Sequence, residues 1–156
     1  MYINGAGVEQ SYEKAAEWVL KAAEQGLADA QYDLGLMYKY GTGVEQSDEK
    51  AVEWYQKAAE QGNARAQYNL GRMYENLGRM YEFGDGVEQS YEKAREWYQK
   101  AAEQGDALAQ CNLGCMYRDG TGVERSDVKA AEWYQKAAEQ EYEDAIKALD
   151  RLYGRW

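Results

Sequence analysis

Within residues 48–60, the apolar residues Ala51, Trp54, Tyr55, Ala58 and Ala59 recur at steps of three and four, with Glu, Gln and Lys between them. That spacing predicts an amphipathic α-helix. Just upstream, Ala30, Leu34, Met37 and Tyr38 make a second such face, with Gly35 set inside it. Gly71 and Gly114 stand at equivalent points. A glycine inside a helix costs about 1 kcal/mol relative to alanine, so close helix–helix approach is the expected reason for it.

Both kinds of helix return along the chain. The first kind, helix A, is predicted over 28–40, 64–83, 107–118 and 143–153; the second, helix B, over 12–25, 48–61, 91–104 and 127–140. Each B helix follows Ser11, Ser47, Ser90 or Ser126, a favoured N-cap, and has acidic residues in its first turn. Gly26, Gly62 and Gly105 are expected to close these helices in the left-handed conformation. Glu141 replaces that glycine after the last B helix, where packing is expected to enforce the turn. Gly41–Gly43 and Gly120–Gly122 read as tight A-to-B connections with positive φ.

Self-comparison makes the pattern a repeat. GVEQSYEKAAEWVLKAAEQG from Gly7 returns, nearly letter for letter, from Gly43, Gly86 and Gly122. Trp18, Trp54, Trp97 and Trp133 mark the units, and the middle interval is seven residues longer than the others. Those seven come from LGRMYE, which occurs at 70–75 and again at 77–82. Seven residues add about 10.5 Å and nearly two whole turns of helix. The expectation is therefore one long helix over 64–83, in which either copy could take the standard place. The divisions follow: a half repeat at 1–26, repeats at 27–62, 63–105 with the insertion around 70–83, and 106–141, and a capping helix at 142–156, all in a single domain. Ile146, Leu149, Leu152, Tyr153 and Trp156 are expected to form the capping helix's apolar stripe.

The pattern A-x-x-x-L-G-x-M-Y, then G-x-G-V-x-x-S, then K-A-x-x-W-Y-x-K-A-A-x-Q-G resembles the Sel1-like repeat, a relative of the tetratricopeptide repeat. The resemblance covers essentially the whole chain. It implies an all-α fold, a right-handed superhelical α-solenoid of antiparallel helix pairs whose A helices line the concave side, and an adaptor role in protein complexes. The cysteine-rich branch of that family pairs thiols between helices; Cys111 and Cys115 lie four apart on one helix, where disulfide geometry is poor. They are read as free thiols.

Composition narrows the function. With 45% hydrophobic residues, 15 Tyr and 5 Trp, the 156-residue chain is built to bury a core. A net charge of −10 argues against nucleic acid and anionic membranes, both of which attract Lys and Arg. No run of eighteen apolar residues occurs, and no secretory signal is visible. Together with the free thiols, this slightly favours a cytoplasmic setting. No histidine and no third cysteine is available for a metal cage or a general base, so neither metal nor cofactor is expected. Ser-x-x-Lys occurs four times, from Ser11, Ser47, Ser90 and Ser126, with the spacing of penicillin-binding hydrolases. Some cysteine-rich members of the resembled family are linked with penicillin binding. The companion S-D-N and K-T-G elements are missing and the serines are explained as caps, so no catalytic residue is assigned and an enzyme is not expected.

The expected function is a scaffold for an unidentified protein or peptide. The units differ among themselves along one face of helix A, which names Asp33, Leu36, Lys39, Tyr40, Asn69, Arg72, Asn112 and Arg118 as candidate partner contacts. The alternative is self-association as a homodimer. It would use Val19 and Leu20 on the first B helix, which lacks its A partner, or Leu77, Met80 and Tyr81 on the extended helix, where apolar surface would outreach its neighbours.

Overall fold

The computed structural model describes residues 11–76 and 90–154, the side chain of Asn76 excepted. Among them are eight α-helices and no strand: α1 Tyr12–Glu24, α2 Ala28–Tyr40, α3 Asp48–Glu60, α4 Ala64–Asn76, α5 Tyr91–Glu103, α6 Ala107–Asp119, α7 Asp127–Ala138 and α8 Glu143–Leu152. The odd-numbered helices are the B helices of the sequence pattern and the even-numbered ones are the A helices.

Identical sequence gives identical ends. Ser11, Ser47, Ser90 and Ser126 are extended, and each Oγ accepts the backbone N–H of the lysine three residues on, at 3.2, 3.2, 3.3 and 3.2 Å. Each B helix ends in a pair of reversed hydrogen bonds. Gly26 N–H donates to Ala23 and Leu27 N–H to Ala22; Gly62 and Asn63, Gly105 and Asp106, and Glu141 and Tyr142 repeat the arrangement. Glu141 sits in that left-handed place at φ +60°, so the turn forms without glycine. A side chain there costs about 1–2 kcal/mol, which neighbouring packing must offset.

The A-to-B connection is closed by a hydrogen bond from the capping serine back to a tyrosine carbonyl: Ser47 to Tyr38 at 2.9 Å, Ser90 to Tyr74 at 3.0 Å and Ser126 to Tyr117 at 2.8 Å. This bond assigns the duplicated hexapeptide. Tyr74 belongs to the first copy, as do Leu70, which is buried like Leu34 and Leu113, and Glu75, whose carboxylate accepts from the Tyr98 hydroxyl at 2.6 Å. The first copy therefore holds the standard place, and the seven additional residues lie between Tyr74 and Ser90. The expected helix beyond Asn76, with Leu77, Met80 and Tyr81, lies outside the described residues.

The described residues gather into two compact units, 11–66 and 67–76 with 90–154. In the first, α2 packs against both α1 and α3. In the second, α6 packs between α5 and α7, and α8 closes on α7. The joint is the same in both. Tyr55, Tyr98 and Tyr134 are each 0% exposed, and their rings lie flat against Gly35, Gly71 and Gly114 of the preceding A helix. A Cβ on any of these glycines would stand 2.5–2.6 Å from a ring carbon. The glycine inside the apolar face is thus the floor of a tyrosine slot. Alanines at 51, 58, 59, 94, 101, 102, 130 and 137 surround the rings and are all but fully buried.

Helix α8 departs from the expected stripe. Ala145 is buried and Leu149 and Leu152 are half-buried, but Ile146 and Tyr153 are 42% and 59% exposed. Counting from the turn, Ile146 stands where Gln31, Gln67 and Gln110 stand, and Asp150 where the slot glycines stand. Those positions meet the next B helix in the earlier units, and among the described residues no helix follows α8.

Candidate functional site

The joint carries a polar element that the hydrophobic pattern conceals. Gln31, Gln67 and Gln110 are buried, each the second residue of an Ala-Gln pair near the start of an A helix. Gln31 Nε2 donates to the Ala23 carbonyl at 3.2 Å, and Gln61, at the end of the next B helix, donates to Gln31 Oε1 at 2.7 Å. In the second unit Gln104 donates to Gln67 at 2.8 Å, Gln110 to Ala102 at 3.1 Å, and Gln140 to Gln110 at 2.9 Å. Gln31 and Gln110 each take up a helix-end carbonyl, and the three amide pairs link side chains 30 to 37 residues apart in sequence. Burying an amide is tolerable only when it is satisfied in this way.

The Ser-x-x-Lys lysines are arranged for packing. Their hydroxyl partners are occupied as helix caps, and Lys50, Lys93 and Lys129 place their ammonium groups 5.2, 5.3 and 5.3 Å from the ring centres of Tyr38, Tyr74 and Tyr117 on the preceding A helix. A second cation series runs along the B helices, with Lys21, Lys57, Lys100 and Lys136 over Trp18, Trp54, Trp97 and Trp133 at 4.0–4.7 Å. These contacts screen aromatic faces from water.

The candidate partner contacts are best described unit by unit. In the first, Asp33 is exposed beside Arg65; partial burial lifts its carboxyl above the ordinary range, Arg65 draws it back, and Asp29 adds to the rise. Arg65 lies over the Tyr32 ring at 4.8 Å and 3.9 Å from Asp29, which also accepts from Asn63 at 3.0 Å. Leu36 and Lys39 are half-buried, and Tyr40, with the Lys39 ammonium 5.7 Å from its ring centre, is 66% exposed. In the second unit Arg72 is exposed, its guanidinium 6.0 Å from the Tyr68 ring centre, and Asn69 is half-buried. Asn112 is half-buried beside Tyr68 and Tyr98. Arg118 grips its neighbour Asp119 with two bonds of 2.7 and 2.8 Å. The residue at its repeat position in α4 is Glu75. Only Asp33, Tyr40 and Arg72 of the eight are exposed.

Of the self-association residues, Val19 and Leu20 are half-buried. Val19 stands where the later units have the slot tyrosine. Leu20 borders a cavity of about 180 Å³ together with Leu34, Tyr38 and Val44. The neighbouring Trp18 is 59% exposed, whereas Trp54, Trp97 and Trp133 are half-buried.

Cys111 and Cys115 are both reduced, the first buried and the second half-buried. Tyr134 donates its hydroxyl to Cys115 Sγ at 3.2 Å. The neighbouring Cys111 thiol lowers that of Cys115 below its ordinary range, and Cys115 together with burial raises that of Cys111 above it. Among the described residues no group of three or more Cys, Asp or Glu side chains could hold a metal ion, and no helix is long and apolar enough to cross a membrane.

The family model of the Sel1 repeat matches four consecutive segments, 1–27, 28–63, 64–106 and 107–142. A protective antigen of uropathogenic Escherichia coli strains, c5321, which displays an SLR fold, is 44% identical with a TM-score of 0.87; the match covers 97% of this chain and 31% of that one. A Sel1 repeat protein from Oxalobacter formigenes is 40% identical with the same TM-score, over 97% of this chain and 60% of that one. Helicobacter pylori cysteine rich protein B is 25% identical with a TM-score of 0.66, over 94% of this chain and all of that one. The chain thus spans about a third of the first of these proteins and three fifths of the second. A search of curated protein sequences returned no match.

Proposed function

The chain belongs to the Sel1 repeat family, and from that premise we propose that it is a scaffold that binds a partner protein or peptide on the faces formed by the A helices. Repeats of this family are in general protein–protein interaction modules. The observation that carries the reading is the division of labour within each A helix. Leu34, Leu70 and Leu113, with the slot glycines and the buried glutamines, are the same residue types in every unit and are all buried. The positions between them change from unit to unit: Asp33, Asn69 and Asn112; Leu36, Arg72 and Cys115; Lys39, Glu75 and Arg118. Uniform packing under a varied surface is what a recognition scaffold needs, since exposed polar and aromatic side chains supply specificity without disturbing the fold. Tyr40 is the strongest single candidate, because an exposed aromatic is the kind of side chain that anchors interfaces. A pull-down comparing the parent chain with Tyr40→Ala combined with Arg72→Ala tests the proposal. Loss of partner with an unchanged helical spectrum supports it, and full retention excludes this face.

A second reading, self-association through α1, is favoured by the exposure of Trp18 beside Val19 and Leu20. Sedimentation across a hundredfold concentration range decides it, and a constant monomer mass removes it. The hydrolase reading has no support, because the Ser-x-x-Lys hydroxyls are occupied in capping.

A further inference from the structure

The last A helix before the cap differs from its fellows at two positions one turn apart. Tyr32 and Tyr68 share a repeat position and lie against Tyr55 and Tyr98 with ring centres 5.8 Å apart. In α6 that position is Cys111. Four residues on, where Leu36 and Arg72 stand, α6 has Cys115. Both thiols face the cluster formed by Ala130, Tyr134, Ala137 and Ala145, with Leu149 and Tyr142 packed beside it. The two thiols are therefore walled by apolar side chains, and the Tyr134 hydroxyl supplies a hydrogen bond to one of them.

We propose that Cys111 and Cys115 form a two-sulfur site for a thiophilic monovalent cation, Cu(I) or its analogue Ag(I). Helix residues at i and i+4 hold their Cβ atoms roughly 5–6 Å apart, wider than the roughly 3.5–4.5 Å that a relaxed disulfide needs. The same separation suits two sulfurs on opposite sides of one ion, each metal–sulfur bond being roughly 2.3 Å. Soft thiolates select Cu(I) over harder ions. With no histidine in the chain and no group of three or more Cys, Asp or Glu side chains placed to hold a metal among the described residues, a tetrahedral zinc cage has no counterpart here. Binding exchanges two thiol protons for one cation and leaves a bis-thiolate with one negative charge. The Tyr134 hydroxyl stays a donor to the bound Cys115 sulfur, fixing it as outer partners fix metal ligands.

The test is anaerobic titration of the reduced full chain with Cu(I) against a chromogenic chelator, with Ag(I) as a second probe, followed by the ultraviolet thiolate-to-metal band. The expected result is one ion per chain. Stoichiometric binding should disappear in Cys111→Ser, Cys111→Ala and Cys115→Ser, each shown to be folded by its helical spectrum, and affinity should fall roughly tenfold in Tyr134→Phe. Retained parental affinity in any of the cysteine variants, or one ion shared between two chains, would overturn the site.

Discussion

Helices α6 and α8 hold the same place in the repeat and end differently. Helix α6 presents Gly114 and Gln110 to the helix that follows it: Tyr134 lies on the glycine, and Gln140 donates to the glutamine. Helix α8 has Asp150 and Ile146 at those positions and receives no further helix among the described residues. The contrast shows what an A helix needs in order to receive a B helix. It needs a slot without a Cβ and a buried amide that can accept, and the leucines and alanines shared by both helices do not supply either. An aspartate side chain in the slot would collide with a tyrosine placed as Tyr134 is, so α8 cannot receive a helix in the way that α6 does.

Breaking the joint from the tyrosine side should have the largest effect. Tyr98→Ala removes a fully buried ring and is expected to cost about 4 kcal/mol in chemical denaturation. Filling the slot comes next. Gly114→Ala sets a Cβ against the Tyr134 ring and is expected to cost about 2 kcal/mol, whereas Asp150→Ala on α8 should shift the midpoint by no more than about 0.5 kcal/mol. Equal costs at 114 and 150 would erase the distinction between the two helices. Gln110→Leu takes one hydrogen bond each from the Ala102 carbonyl and the Gln140 amide, which keep their bonds to Gly105, and is expected to cost about 1.5 kcal/mol; Ile146→Gln on α8 should cost less, since no second amide meets it. Opposite in sign is Glu141→Gly, which relieves the left-handed side chain before α8 and should stabilise by about 1 kcal/mol. A destabilisation there would mean that the Glu141 side chain makes contacts worth more than its strain.

What was legible in the sequence is what local chemistry decides. Serine caps, left-handed glycines and GTG connections act over three to six residues, and each was found where the letters place it. The slot was half-legible. Gly35, Gly71 and Gly114 announced a close approach, but only the folded chain shows that the approaching group is the tyrosine twenty or more residues later. The glutamine ladder was not legible as a buried element, because a glutamine on a helix reads as solvated until a second amide thirty residues away satisfies it. Its trace was present in the unvarying Ala-Gln pairs. The duplicated hexapeptide could not be placed from its letters, since both copies offer the same Leu, Gly, Met and Tyr; the Ser90–Tyr74 and Tyr98–Glu75 hydrogen bonds choose the first. Exposure along the varied face was not legible either: Asn112 and Arg118 vary between units and are half-buried.

The claim that a Cβ-free slot filled by the next helix's tyrosine joins each A helix to the B helix after it is tested most directly by a double-mutant cycle. Val19 supplies the control, since valine already occupies the tyrosine position in α1. Gly114→Ala is to be measured by denaturant titration in the parent chain and in Tyr134→Val. If the slot exists for the ring, the alanine costs about 2 kcal/mol in the parent and becomes neutral or stabilising by up to about 1 kcal/mol beside valine, where helix propensity is all that remains. An equal cost in both backgrounds would show that the glycine answers to something other than the tyrosine and would contradict the account.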